Sequence, residues 1–393
     1  MTSTPLSQSP DNSPPPAGGT NERPESKPKK QGHFCVWHGL TFGTWVRLLA
    51  SRPPMHWTSL PRMVSISALS VLNSWNDLLE SVLLGGRIAR QKIEKPPIFI
   101  LGHWRSGTTL LHNLMTLDPQ FTYPNLYQVM YPGNFLLTER VVTRLTGWVL
   151  PKTRPMDNIP AGWDLPQEDE MALLLMTLIS PYLMLAHQGR PEKYERFMDL
   201  KQLTPDERQR WQTAFMTFVK KLTVRANKPV VLKSPSHTFR IPILLEMFPD
   251  AKFVYIHRDP YAVFNSGMHL RRTLFKENGL GKPVFDGMEE EVFNVYSDCI
   301  ETYEQTKHLI PAGRLHELKF EDLEADPLGQ MRRVYSSLGL DFSQVEPAIQ
   351  NELPALTKYT KNSFKMDEAT MRKVYARWRP SFDIYGYPSR LPN

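Results

Sequence analysis

The spacing of apolar positions changes several times along this chain, and each spacing predicts a different element. Residues 1–33 show no apolar pattern, are rich in Pro, Ser, Asn and Gly, and are expected to form a disordered tail that closes on Lys27, Lys29 and Lys30. From 34 to 95, Ile66, Leu69, Val71, Leu72, Trp75, Leu78, Leu79, Val82, Leu83 and Leu84 recur at roughly helical intervals. They predict one or two amphipathic helices, read as an N-terminal extension packed on the main domain. A second reading of 34–95 is contact with a membrane surface, supported by Trp37, Trp45 and Trp57 interleaved with Arg47, Arg52 and Arg62. From Pro96 the apolar residues gather in short runs without alternation: Ile98-Phe-Ile-Leu101, Pro229-Val-Val-Leu232 and Lys252-Phe-Val-Tyr-Ile256. Such runs predict parallel strands covered on both faces. Helical patterns fall at about 167–188, 204–226, 238–248, 260–275 and 288–310. The predicted fold over 96–393 is α/β, with a central, mostly parallel sheet between two layers of helices. The longest apolar run, Met171–Ala186, is too short for a membrane span and is interrupted by Pro181, so it reads as a buried helix with a proline break.

Composition narrows the picture a little. With 393 residues and 41% hydrophobic content, a sizeable core is expected. The formal net charge of +7 suits an anionic ligand or an anionic membrane surface, although part of it sits in the tail. The two cysteines, Cys35 and Cys299, lie far apart and belong to no CxxC or Cys/His cluster. They read as reduced thiols of a cytoplasmic protein, and no thiol metal site is expected. The first ten residues are polar, unlike a signal peptide. No nucleic-acid partner is expected.

The segment after the first predicted strand carries the chemistry. Gly102-His-Trp-Arg-Ser-Gly107-Thr108-Thr109 has two glycines at Walker A spacing, between a strand and a helix. A loop of this kind is a nest of backbone N–H groups that closes on a helix N-terminus and holds an oxyanion. Thr108 and Thr109 add hydroxyl donors. A nucleoside-triphosphate loop carries Lys directly after the second glycine; here that position is Thr108, and the cation is Arg105, inside the loop. No strand ends in a clear Walker B aspartate. Both absences argue against Mg²⁺-dependent ATP or GTP hydrolysis. A second segment, Phe253-Val-Tyr-Ile-His257-Arg258-Asp259-Pro260, ends a strand and starts a helix at the proline, with Ser266 two turns further on. Arginine's planar fork suits phosphate oxygens.

The order strand, Arg-Ser-Gly-Thr-Thr, helix resembles the 5'-phosphosulfate-binding motif of the sulfotransferases that use 3'-phosphoadenosine-5'-phosphosulfate (PAPS). The Arg258–Ser266 pair, about 150 residues later, resembles their 3'-phosphate site. The likeness runs roughly from Pro96 to Leu340 and is greatest to the broad bacterial-type family; Leu232-Lys-Ser-Pro235 also resembles tyrosyl-protein sulfotransferases. It implies a P-loop-like sulfotransferase fold and an enzyme that moves a sulfuryl group from PAPS to a hydroxyl or amine without a metal, leaving adenosine 3',5'-bisphosphate. It further implies that Arg105, Ser106, Gly107, Thr108 and Thr109 surround the 5'-phosphosulfate, and that Arg258 and Ser266 hold the 3'-phosphate. The segment Leu318-Lys-Phe-Glu-Asp-Leu323 is a weaker echo, read as framework.

In-line transfer needs cations near the bridging oxygen and a base near the acceptor. Lys233, at the end of a buried strand and beside Ser234-Pro235, is the candidate for the bridge, since a buried charge without a role is costly; Arg105 is the second cation. For the base, Gln167-Glu168-Asp169-Glu170 offers Glu170 first and Glu168 second, against the alternative that three acids merely stabilise a helix N-terminus. His237 competes for the role, and His103 is placed to touch phosphosulfate or acceptor. Related enzymes often carry Glu after an aromatic about twenty residues beyond the loop; here Tyr127 is followed by Gln128, which cannot act as a base. Phe121, Tyr123, Tyr127, Met130, Tyr131 and Phe135 are either core or the wall of a pocket for an apolar, lipid-like or other small acceptor. Two further readings are a P-loop kinase and a non-catalytic nucleotide-binding or membrane-associated module.

Overall fold

A computed structural model describes residues 35–150, 162–358 and 366–391; the expected tail, 1–33, lies outside them. Four strands, β1 (Ile98–Leu101), β2 (Val231–Lys233), β3 (Lys252–His257) and β4 (Leu315–Lys319), form one parallel sheet in the order β2-β1-β3-β4. Phe99 pairs with Leu232 on one side and Phe253 on the other. Side chains alternate between the two faces of a strand. Accordingly Ile98, Ile100, Val231, Val254 and Ile256 enter one core, while Phe99, Leu101, Leu232, Phe253 and Tyr255 enter the other. Both faces are buried, which explains apolar runs without alternation.

Helices α1 (Phe42–Ala50) and α2 (Leu60–Arg90) precede the sheet. After β1 come α3 (Thr108–Thr116), α4 (Leu126–Met130), α5 (Phe135–Thr146), α6 (Glu170–Thr177) and α7 (Pro205–Arg225). Then α8 (Ile241–Met247) leads to β3, and α9 (Pro260–Asn278) and α10 (Met288–Thr306) to β4. The chain continues with α11 (Phe320–Ala325), α12 (Pro327–Ser337), α13 (Glu346–Lys358), α14 (Glu368–Arg377) and α15 (Arg379–Tyr385). Leu111, Leu114 and Met115 of α3 and Met331, Val334 and Tyr335 of α12 cover one face of the sheet; α6 to α10 supply most of the other. The result is the three-layer α/β architecture.

The first sixty described residues are tied into the main core. Trp37, Trp45, Leu48 and Ile66 share a hydrophobic cluster with Phe99. Trp37 Nε1 donates to the Asn278 carbonyl at 2.7 Å, and the buried Lys221 of α7 pairs with Glu80 of α2 at 2.5 Å.

Local chemistry moved three predicted boundaries. The helix expected over 167–188 stops at Thr177, because Leu178 turns left-handed (φ 61°) and Pro181 restarts the chain as a 3-10 turn, Pro181–Leu185. The helix expected over 238–248 becomes a 3-10 turn, Pro235–Phe239, followed by α8 with Pro242 in its first turn. The strand expected over 229–232 shifts to Val231–Lys233, since Pro229 spends its carbonyl on Thr122 N (3.0 Å) rather than on the sheet.

Candidate active site

The strand order places a crossover beside β1: β2 lies on one side and β3 on the other. In open α/β sheets ligands bind outside the carboxyl ends of the strands at such a switch point. The loop after β1 and the turn after β3 meet there. Gly102 (φ 138°) and Gly107 (φ 102°) occupy backbone conformations that favour glycine, and a Cβ on Gly107 would lie 2.2 Å from the Phe320 ring. The tight approach lets α3 begin at Thr108, so the first amides of a nine-residue helix, which have no intrahelical partner, open onto the loop. The Ser106 hydroxyl donates to the His103 carbonyl at 2.7 Å, and Gly102 N donates to Thr238 Oγ1 at 2.8 Å, fixing the loop from both ends.

The two sequence motifs converge on this loop. Arg105 Nε donates to Ser266 Oγ at 2.7 Å, and Arg258 Nη1 donates to the Arg105 carbonyl at 3.3 Å. The Arg258 guanidinium lies 4.1 Å from the centroid of the Phe320 ring. Burial lowers the Arg258 pKa, against the opposing charges of Glu321 and Glu324, and an arginine so placed remains a cation. Asp259 caps α9 by accepting from Tyr261 N at 2.9 Å, which holds the Arg258 turn.

Across the loop, the acidic segment zips onto the end of β2 and the turn after it in three consecutive pairs. Glu168 Oε1 takes Lys233 Nζ at 2.7 Å, Asp169 Oδ2 takes His237 Nε2 at 2.7 Å, and Glu170 Oε2 takes Arg240 Nη1 at 2.5 Å. Their environments differ sharply. The Glu170, Arg240, Asp169 and His237 side chains are wholly buried; Glu170 also accepts from Ser236 Oγ (2.8 Å), and Arg240 also donates to the carbonyls of Phe197 and Met198. His237 lies against the rings of Phe99 and Phe215. Only the first pair reaches solvent: the Glu168 side chain is 18% exposed and that of Lys233 2%. Tyr182 Oη donates to Glu168 Oε2, and Trp104 Nε1, from the loop after β1, donates to Tyr182 Oη at 2.9 Å. Burial and the Glu168 carboxylate push the Tyr182 hydroxyl well above its usual pKa, so it stays a donor.

These positions give the candidate bases different access to the loop. A base must reach the proton that it removes. Glu170 and His237 are wholly buried against Arg240 and Asp169, whereas Glu168 is the member of the acidic trio whose side chain is part-exposed. His103 is buried, with Nδ1 2.8 Å from the Trp104 carbonyl, and burial lowers its pKa to about 3. At neutral pH it is therefore an uncharged framework residue. Tyr182 and Trp104 were missed by sequence reading. Tyr182 sits in an apolar run that reads as core, and Pro181 was the only hint of a turn there.

The aromatic run also divides. Phe121 packs with Tyr335 beneath the sheet, whereas Tyr127, Met130 and Phe135 are buried in the opposite core. Only Tyr123 and Tyr131 are half-buried. Gln128 is structural, completing a capping box with Asn125 and donating to Glu139.

Comparison with known proteins adds an independent line. A profile described as Sulfotransferase family matches residues 96–344. Over 359 residues the chain is 39% identical to the omega-hydroxy-beta-dihydromenaquinone-9 sulfotransferase Stf3 of Mycobacterium tuberculosis, covering 91% of this chain and 92% of that protein. The protein of the same name from Mycobacterium bovis matches equally. Among solved structures, the sulfotransferase STF9 of Mycobacterium avium has a TM-score of 0.64 at 17% identity, covering 89% of this chain and 92% of that one. STF1 of Mycobacterium tuberculosis has a TM-score of 0.61 at 20% identity, covering 86% and 90%. These two likenesses establish the fold.

Proposed function

The chain belongs to the sulfotransferase family, and from that premise we propose that it is a cytoplasmic enzyme transferring a sulfuryl group from PAPS to the hydroxyl of a lipid alcohol of the hydroxylated-menaquinone type. The observation that carries the donor assignment is the meeting of Arg105, Arg258 and Ser266, from motifs far apart in the chain, on one helix N-terminus. Two guanidinium groups, serine and threonine hydroxyls and helix-start amides are the donor set of an anionic nucleotide. In this reading Ser106, Gly107, Thr108 and Thr109 hold the 5'-phosphosulfate with Arg105, while Arg258 and Ser266 take the 3'-phosphate. The lipid acceptor is proposed from the 39% identical relatives that carry that name.

PAPS supplies the sulfuryl group; the chain's own residues position it and move the proton. The Lys233 ammonium, held to Glu168 at 2.7 Å, stabilises charge on the leaving phosphate oxygen. Glu168 accepts the acceptor's hydroxyl proton, while the Tyr182 hydrogen bond fixes the orientation of its carboxylate. Thermal denaturation tests the donor assignment. Adenosine 3',5'-bisphosphate is expected to raise the melting temperature and ATP much less, because a ligand that binds only the folded state stabilises it. Equal shifts would remove the 3'-phosphate site from the reading.

A further inference from the structure

Helix α2 is amphipathic in the inverted sense. Its buried positions are Ile66, Ser70, Asn73, Glu80 and Ile88, three of them polar. Those polar groups are used inside: Asn73 Nδ2 donates to the carbonyls of His38 and Leu40, and Glu80 pairs with Lys221. The outward positions are apolar. Leu60, Val64, Val71, Leu72, Trp75, Leu78, Leu79, Val82 and Leu83 are all exposed, from 47% at Val71 to 73% at Val82. At the ~100° per residue of an α-helix they fall within an arc of about 140°. Between Leu60 and Gly86 the exposed side chains that can hydrogen-bond are Ser81 and, through its indole N–H, Trp75. Neighbouring α5, joined to α2 through Asn134–Asp77 (2.7 Å) and Leu137–Glu80 (3.1 Å), adds exposed Val141 and Leu145. Monomeric proteins in water rarely leave so large a contiguous apolar face uncovered.

Charge says what covers it. The exposed charged residues at the end of α2 and just beyond it are Arg87, Arg90, Lys92 and Lys95 against Glu94, and α5 adds exposed Arg140 and Arg144 beside Val141 and Leu145. An apolar stripe with a cationic border fits the headgroup–acyl boundary of an anionic bilayer. No helix among the described residues is long and apolar enough to cross a membrane. Residues 1–33 are almost wholly polar and are no match for such a face. We propose that the outer face of α2, with the adjoining stripe of α5, docks the enzyme in the plane of an anionic lipid membrane, burying the apolar arc at the acyl boundary while the cationic border meets the headgroups. The proposal stands apart from the acceptor assignment, because it concerns where the folded chain binds, with or without PAPS.

Flotation of the full chain with vesicles tests it, comparing pure phosphatidylcholine with vesicles containing about one third phosphatidylglycerol. The parent is expected to float with the anionic vesicles and much less with the neutral ones. Trp75→Glu with Val82→Glu is expected to weaken binding about tenfold or more. Arg87→Ala with Arg90→Ala is expected to weaken it roughly fivefold per cation at low salt. Both double variants alter exposed positions and are expected to keep the parental melting temperature. A second readout needs neither of them: Val82→Cys labelled with a polarity-sensitive dye, selective because Cys35 and Cys299 are both buried, is expected to shift to the blue on vesicle addition. Absence of flotation with anionic vesicles, or of the dye shift, overturns the proposal. So does a parental dimer that Trp75→Glu with Val82→Glu converts to a monomer, since the face would then be covered by a second copy.

Discussion

The assignment of Glu168 over Glu170 can be decided by two charge-neutralising substitutions two residues apart. Glu170→Gln removes the negative charge from a pair whose two side chains are wholly buried. Arg240 would keep the Phe197 and Met198 carbonyls but lose its counter-charge. Breaking a buried pair at one partner costs about 3–5 kcal/mol. Glutamine still accepts one hydrogen bond, which points to the lower end, a fall in melting temperature of about 4 °C for a chain of this size. Turnover per folded molecule should stay within a few-fold of the parent. Glu168→Gln should do the reverse. Its side chain is part-exposed, and glutamine can still accept from Tyr182 or Lys233, so the stability cost stays within about 2 kcal/mol. Removal of a general base should lower kcat by about 100- to 10,000-fold. The assay is single-turnover transfer from radiosulfur-labelled PAPS to a hydroxylated menaquinone in micelles, with scanning calorimetry on the same preparations. If Glu168→Gln kept parental turnover, or Glu170→Gln lost turnover without losing stability, the proposed geometry of the proton transfer would be wrong.

Arg258→Ala should raise the Kd for adenosine 3',5'-bisphosphate by at least tenfold and leave kcat at saturating PAPS within a few-fold, because a contact made equally in ground and transition states changes affinity alone; unchanged affinity in a calorimetric titration would exclude the 3'-phosphate role. Gly107→Ala places a Cβ 2.2 Å from Phe320 at φ 102°, and should cost about 1–3 kcal/mol of stability together with nucleotide affinity, since Phe320 also carries the Arg258 guanidinium. A parental melting curve for that variant would contradict the tight loop. Burial lowers the pKa of His103 to about 3 and that of His112, which also faces the Lys233 charge, well below its usual value. The unfolded chain takes up those protons as pH falls through about 6.5 while the folded chain does not, so stability is full above that pH and is lost below it, by up to about 1.4 kcal/mol per pH unit for each histidine. Replacing His103 with Gln should flatten the fall in melting temperature between pH 6.5 and 5, and an unchanged slope would contradict the buried neutral imidazole.

Much of this molecule is determined by the sequence alone, wherever the signal is local. Continuous apolar runs such as Ile98–Leu101 announce strands covered on both faces, and the glycine spacing of 102–107 ahead of an apolar helix announces an anion-binding loop, because both patterns record constraints within a few residues of chain. Arg258 and Ser266 stand out through their resemblance to a family motif framed by one strand end and one helix start. Tertiary structure decided the rest. Glu168, Asp169 and Glu170 are three neighbouring carboxylates with no local feature to rank them; the chain segment Lys233–Arg240 ranks them by pairing with each in turn, leaving only the first beside the loop. Tyr182 joins Glu168 to Trp104 only because the left-handed Leu178 and Pro181 turn the chain back toward the loop after β1. Helical periodicity in 60–90 shows that α2 has an apolar stripe, but not which way it points. That was settled by partners elsewhere in the chain, Lys221 and the carbonyls of His38 and Leu40, which draw Glu80 and Asn73 inward and so turn the apolar arc to the surface.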